Sequence, residues 1–187
     1  LRKWLEKNGY AVSDTGFDNN GRHNPKLHGT AKGNTLTPTT LSLLYATDFA
    51  DRLENQIIPA LKAGFYVLSD RYFYSIIARN IVRGIDPTWT RKVYGFALKP
   101  DIVFYLKADI PTLVTRIVYE RGFDYWESGM DILKEDNLYD SFTKYQSQII
   151  AQFDAMAKEF NFVIIDANRP INAVFEDLHS HIEKLLD

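Results

Sequence analysis

The sequence predicts an α/β fold, a parallel sheet with helices on both faces. Three observations predict it. Short runs rich in β-branched and aromatic residues, such as Phe65-Tyr66-Val67-Leu68 and Ile102-Val103-Phe104-Tyr105, alternate with longer segments whose apolar residues recur at three- and four-residue spacings. Those short runs are apolar throughout rather than alternating, the pattern of strands covered on both sides. The 187 residues suffice for one domain and fall short of two ordinary ones.

Residues 1–7 read as the last turns of a helix, stopped by Asn8-Gly9, and residues 10–13 as a short strand. Residues 15–37, rich in Gly, Asn, His and Lys, form the longest loop-like stretch and are expected to be mobile. Thr37-Pro38 marks a helix start, with Thr as the cap and Pro in the first turn. Leu41, Leu44, Tyr45, Phe49, Leu53, Ile57 and Leu61 carry that helix to Gly64. It holds more apolar residues than one face needs, which raises the expectation of a homodimer. A buried strand over 65–69 runs into Asp70-Arg71-Tyr72. Helices follow over 74–82 and 87–97, and Lys99-Pro100-Asp101 leads into a strand over 102–106. A helix over 110–121, a mixed-charge loop over 122–131 and a long helix from Leu138 to Phe160 come next. The last strand spans 162–165, and Pro170 opens the last helix, 171–186. Ligands of such sheets gather at the carboxyl ends of the strands. Residues 13–16, 70–72, 107–109 and 166–169 therefore carry most weight.

Composition narrows the function. Apolar residues at 45% and charged residues at 25% exclude disorder and collagen-like repeats. With 22 Lys and Arg against 24 Asp and Glu, the net charge of −2 argues against a dedicated nucleic-acid binder. The absence of cysteine excludes disulfides, thiolate metal sites and cysteine nucleophiles. No apolar run approaches the roughly 18 residues of a membrane span, and no secretory leader is visible, so no membrane partner and a cytoplasmic setting are expected. His23, His28, His179 and His181 have no metal-like arrangement with carboxylates, and the last two, two apart on a helix, point to different faces.

Asp70-Arg71-Tyr72 is the strongest local signal. An acid beside an arginine at a strand end suits a phosphate site with a metal, the guanidinium forking onto phosphate oxygens and the carboxylate orienting metal-bound water. A structural ion pair at the strand end is the bland alternative.

Read with its flanks, the segment resembles thymidylate kinases: Leu43-Leu44-Tyr45-Ala46-Thr47-Asp48, Ile58-Pro59-Ala60-Leu61, and Val67-Leu68-Ser69-Asp70-Arg71-Tyr72 with Ser75. Leu98-Lys99-Pro100-Asp101 and Ile165-Asp166-Ala167, with Val174 and Glu176-Asp177 beyond, continue the resemblance to the C-terminal part of the chain. The resemblance implies a P-loop kinase fold and a nucleoside-monophosphate kinase that converts ATP and dTMP to ADP and dTDP with Mg²⁺. It implies catalytic roles for Asp70, Arg71 and Arg121, with Asp70 at the metal. Substrate contacts fall to Tyr45, on which thymine would stack, and to Arg71 and Tyr72. Arg116 and the turn of Ala167, Asn168 and Arg169 would border the adenine. Residues 122–131 would be the lid.

The sequence departs from the family in four places. No Gly-x-x-x-x-Gly-Lys-[Ser/Thr] loop is present; it and the first strand are expected upstream of Leu1, and the chain shown is expected to be inactive alone. Ser13-Asp14-Thr15-Gly16 offers no arginine for the acceptor phosphate. Phe49 stands where the family places a base-reading arginine, and the lid reads Asp124-Tyr125-Trp126-Glu127 rather than Asp-Arg-x-Glu. Phe49 itself is expected on the substrate side, and Arg79 and Asn80 are candidates to reach the base. A non-catalytic nucleotide-binding homologue, and a kinase for another nucleotide or nucleoside, are the competing readings.

Overall fold

A computed structural model describes residues 1–16 and 36–186. The chain divides into two compact units, Leu1–Lys99 and Pro100–Asp187. Each is α/β, with one parallel pair of strands.

The first unit holds α1 (Arg2–Lys7), β1 (Val12–Gly16), α2 (Pro38–Arg52), a π-helical segment (Leu53–Ile57), α3 (Ile58–Lys62), β2 (Tyr66–Asp70), α4 (Phe73–Val82) and α5 (Pro87–Val93). Strands β1 and β2 pair in parallel from Val12 opposite Tyr66 to Gly16 opposite Asp70. Helix α2 starts where the sequence places it: the Thr37 hydroxyl accepts from the Thr40 backbone N–H, and Pro38 needs no partner for an N–H it lacks. Directly after α2 the helix widens for one turn, and the Ile58 N–H reaches five residues back to the Leu53 carbonyl. Leu53 and Ile57 remain buried through that turn, joining Phe49, Tyr74, Ile77 and Ala78 in the core.

The second unit holds β3 (Phe104–Lys107), α6 (Ile110–Glu120), α7 (Leu138–Phe160), β4 (Val163–Asp166) and α8 (Ile171–Leu186). Strands β3 and β4 pair in parallel from Phe104 opposite Val163 to Lys107 opposite Asp166. Asp109 and Asn137 cap α6 and α7 by accepting from the N–H groups of Thr112 and Asp140, each at 2.9 Å. Asn161 ends α7 in the left-handed conformation that stops helices. Phe142, Tyr145, Met156 and Ile165 form the buried centre.

Several boundaries depart from the sequence reading. Strand β1 runs on to Gly16, taking in Thr15 and Gly16, because pairing with β2 overrides their loop-like composition. Asp70 is the last residue of β2 rather than the first beyond it. Helix α5 stops at Val93, four residues early. The strands are also less enclosed than their apolar content suggests. Ile165 is buried, yet Leu106, its partner in register on β3, and Ile164, its neighbour along β4, are half exposed.

The 122–131 segment is knit by turns. The Ser141 hydroxyl donates to the Ser128 carbonyl at 2.7 Å, and the Gln146 amide donates to the Glu127 carbonyl at 2.8 Å. Gly129 sits so tightly against Tyr145 that a β-carbon there would lie 2.5 Å from the ring. Most of the 15–37 loop, with His23 and His28, lies outside the described residues. Among the described residues, no helix is long and apolar enough to cross a membrane.

Candidate active site

At the carboxyl end of β2, Asp70 is exposed and pairs in register with Gly16. The chain then turns sharply. Arg71 adopts φ 61°, one of two non-glycine residues with positive φ among those described. That left-handed conformation costs a residue with a β-carbon of order 1 kcal/mol or more and persists where the surroundings enforce it. The Ser69 hydroxyl helps by donating to the Arg71 carbonyl at 3.1 Å. Tyr72 closes the turn, its hydroxyl donating to the Leu98 carbonyl at 3.1 Å, and burial pushes its pKa up to about 12.

A single exposed carboxylate at this position fits Mg²⁺, which usually takes one or two protein carboxylates and fills its remaining positions with water and substrate phosphate. Among the described residues, no group of three or more His, Cys, Asp or Glu side chains forms a protein cage for a metal.

Two sequence-based candidates for base recognition are core residues instead. Phe49 is fully buried, with Tyr72, Phe73, Tyr94 and Phe96 around it at ring-centroid distances of 5.1 to 6.0 Å. Asn80 is also buried, and its amide donates to the Ser42 hydroxyl at 2.6 Å, tying α4 to α2. Periodicity places both on helices but does not say which helix covers them. Arg79 and Tyr45 are half-buried on α4 and α2.

Sequence reasoning missed Arg52. It is 1% exposed, its Nε lies 3.3 Å from the Asp48 carboxylate and its guanidinium carbon 5.8 Å from the centre of the Phe49 ring. Burial lowers its pKa despite the opposing pull of Asp48. One clue was available: Arg52 stands seven residues after Tyr45 on one helix, close to two full turns, and hence on the same face. Gly16 lies in the 13–16 stretch that the sequence singles out, but its close approach to Asp70 was not legible, since it depends on a neighbouring strand.

In the second unit the candidate nucleotide-binding residues converge on the ends of β3 and β4. The Arg116 guanidinium donates to the Ala167 carbonyl at 2.6 Å, and the Asn168 side-chain oxygen accepts the Asp109 N–H at 3.0 Å. Asp166 accepts the Asn168 N–H at 3.0 Å, while Arg169 donates to the Asp166 carbonyl at 3.2 Å and pairs with Asp177 of α8. Hydrogen bonds from Thr112 hold the Asp109 carboxyl below its ordinary pKa. Beside this turn opens a largely apolar cleft of about 540 Å³, with Lys107, Ile110, Ile150, Ile164 and Asn168 in its wall. Lys107 is gripped there by both oxygens of Asp154, at 2.7 and 2.9 Å. Arg121, at the end of α6, pairs with Glu127 at 2.5 Å.

A family model described as thymidylate kinase matches residues 1–178. The chain is 43% identical over 158 residues to a probable thymidylate kinase 2 of Saccharolobus solfataricus, a match covering 83% of this chain and 74% of the relative. It is 31% identical over 200 residues to a probable thymidylate kinase of Thermococcus gammatolerans, covering 100% of this chain and 86% of the relative. A thymidylate kinase of Brachyspira hyodysenteriae is 33% identical over 132 residues, covering 69% and 65%.

Proposed function

The chain belongs to the thymidylate kinase family, whose members are nucleoside-monophosphate kinases, and we propose that it transfers the γ-phosphoryl group of ATP to dTMP. A phosphate oxygen of dTMP bonds to the γ-phosphorus, the bond from that phosphorus to the β–γ bridging oxygen breaks, and ADP leaves with dTDP as product. No protein nucleophile is needed, so the residues act by positioning and by offsetting charge.

The observation that carries this reading is the left-handed Arg71 directly after the exposed carboxylate of Asp70 at a strand end. Backbone strain held at such a place belongs with function more often than with stability. In this reading Arg71 forks onto the acceptor phosphate and Asp70 holds Mg²⁺. When bound, Mg²⁺ supplies positive charge across the phosphate oxygens. Tyr45 stacks on the base, Arg121 steadies the transferred group, and the 166–169 turn takes the adenine. The reading extends to a cytoplasmic homodimer, for which the exposed Leu43 on α2 supplies apolar surface.

Buried Phe49 leaves the base edge to other side chains, so the acceptor needs its own test. Steady-state assays of the full gene product with ATP and a panel of nucleoside monophosphates should give the highest kcat/KM with dTMP. Faster turnover of another monophosphate would replace the acceptor, and no turnover of any would remove the kinase reading.

A further inference from the structure

The side chains expected to touch the donor nucleotide in the second unit are all engaged with the protein itself. Arg116 projects from α6 and donates to the Ala167 carbonyl. Asn168 projects the other way and accepts the Asp109 N–H, at the entrance to α6. In both bonds the α6 side donates and the turn accepts, once from a helix side chain to turn backbone and once from the helix-entry backbone to a turn side chain. Asp109 is itself the cap of α6, so Asn168 steadies the residue that steadies the helix. On the far side, Asp177 of α8 holds Arg169.

We propose that Asn168 is a positioning residue, a staple that fixes the shape of the 166–169 turn through its side-chain oxygen, so that the turn meets the donor nucleotide with its backbone and not with the Asn168 amide. The proposal rests on the kinase reading above and assigns a task within it. Hydrogen bonding through one oxygen atom distinguishes this from direct contact. A side chain that grips adenine would use both the oxygen and the N–H₂ of its amide, whereas a staple to a backbone N–H needs only the acceptor. Ordering the turn before the nucleotide arrives removes part of the cost of binding.

The contrast between Asn168→Asp and Asn168→Ala tests it. Asp keeps an acceptor at the same reach and loses the donor; Ala loses both. In the full gene product, KM for ATP should rise about tenfold in Asn168→Ala, the effect of one lost hydrogen bond, with kcat nearly unchanged. Asn168→Asp, which keeps the acceptor, should raise KM for ATP by clearly less than Asn168→Ala does, and exchange of the Asp109 amide should quicken only in the Ala variant. If Asn168→Ala does not fold, Asn168→Gln, which carries the amide one carbon too far, takes its place with the same expected contrast. Equal losses in the Asp and Ala variants would overturn the staple and leave direct contact with the nucleotide. A parent protein that does not bind ATP would overturn the kinase reading, and the staple's purpose with it.

Discussion

Gly16 and Asp70 face each other across the two strands of the first unit at a separation that excludes a side chain: a β-carbon on Gly16 would lie 2.7 Å from the Asp70 carbonyl oxygen. The close approach fixes where β2 ends and therefore where the Asp70 carboxylate stands. Gly16→Ala should push the strand ends apart, costing about 1–3 kcal/mol of stability, read from urea unfolding. Catalysis should fall by more than the loss of folded protein explains. A variant with unchanged midpoint and full activity would show that the strands give way freely.

Arg71 offers a separation of stability from activity. Arg71→Ala should lower kcat/KM by about a hundredfold with little change in Tm, and Arg71→Lys should recover part, since lysine keeps the charge without the planar fork. Arg71→Gly should be at least as stable as the parent, because glycine adopts φ 61° without strain, while losing the same activity. Loss of folding in the Ala and Gly variants would favour a structural ion pair in place of a phosphate grip.

Phe49 is a test of the core. Phe49→Ala should cost about 3–5 kcal/mol, as expected for an emptied aromatic position. Phe49→Arg should be worse, forcing a second guanidinium beside buried Arg52. Chemical denaturation of both variants decides this, and a stable Phe49→Arg protein would return position 49 to the substrate side.

Alkali should loosen the same region. Burial raises the pKa of Tyr72 from its ordinary value near 10 to about 12, so the folded state holds the phenol proton more tightly than the unfolded chain. The resulting stability is fully present below about pH 10 and is lost as pH rises through about 12. Tyr94 and Tyr105 are shifted in the same direction by burial. Melting temperatures should hold up to about pH 10 and fall beyond it, less steeply in Tyr72→Phe. An identical alkaline profile in that variant would exonerate Tyr72.

The sequence carried the local signals well and the distant ones poorly. Thr37-Pro38 announces a helix start through chemistry contained within three or four residues, and the structure uses it that way. Asp70-Arg71-Tyr72 was likewise legible as a strand end. Phe49 and Asn80 were not, because their burial is decided by α4 and an aromatic cluster whose members come from three separate stretches of chain. Asn168 was noticed for its position, yet its partner, Asp109, lies 59 residues away. Such a pairing has no periodicity for a single sequence to display.

The π-helical turn between α2 and α3 has a consequence for chain length. A helix that bonds five residues back over one turn accommodates one residue more than the regular ladder requires. Removing exposed Asn55 would let the segment close into ordinary α-helix while the parts on either side keep their facing. Most helices scramble every downstream contact when a residue is deleted. This one contains a slot where a deletion is absorbed, so variants one residue shorter should be found there sooner than at any neighbouring position.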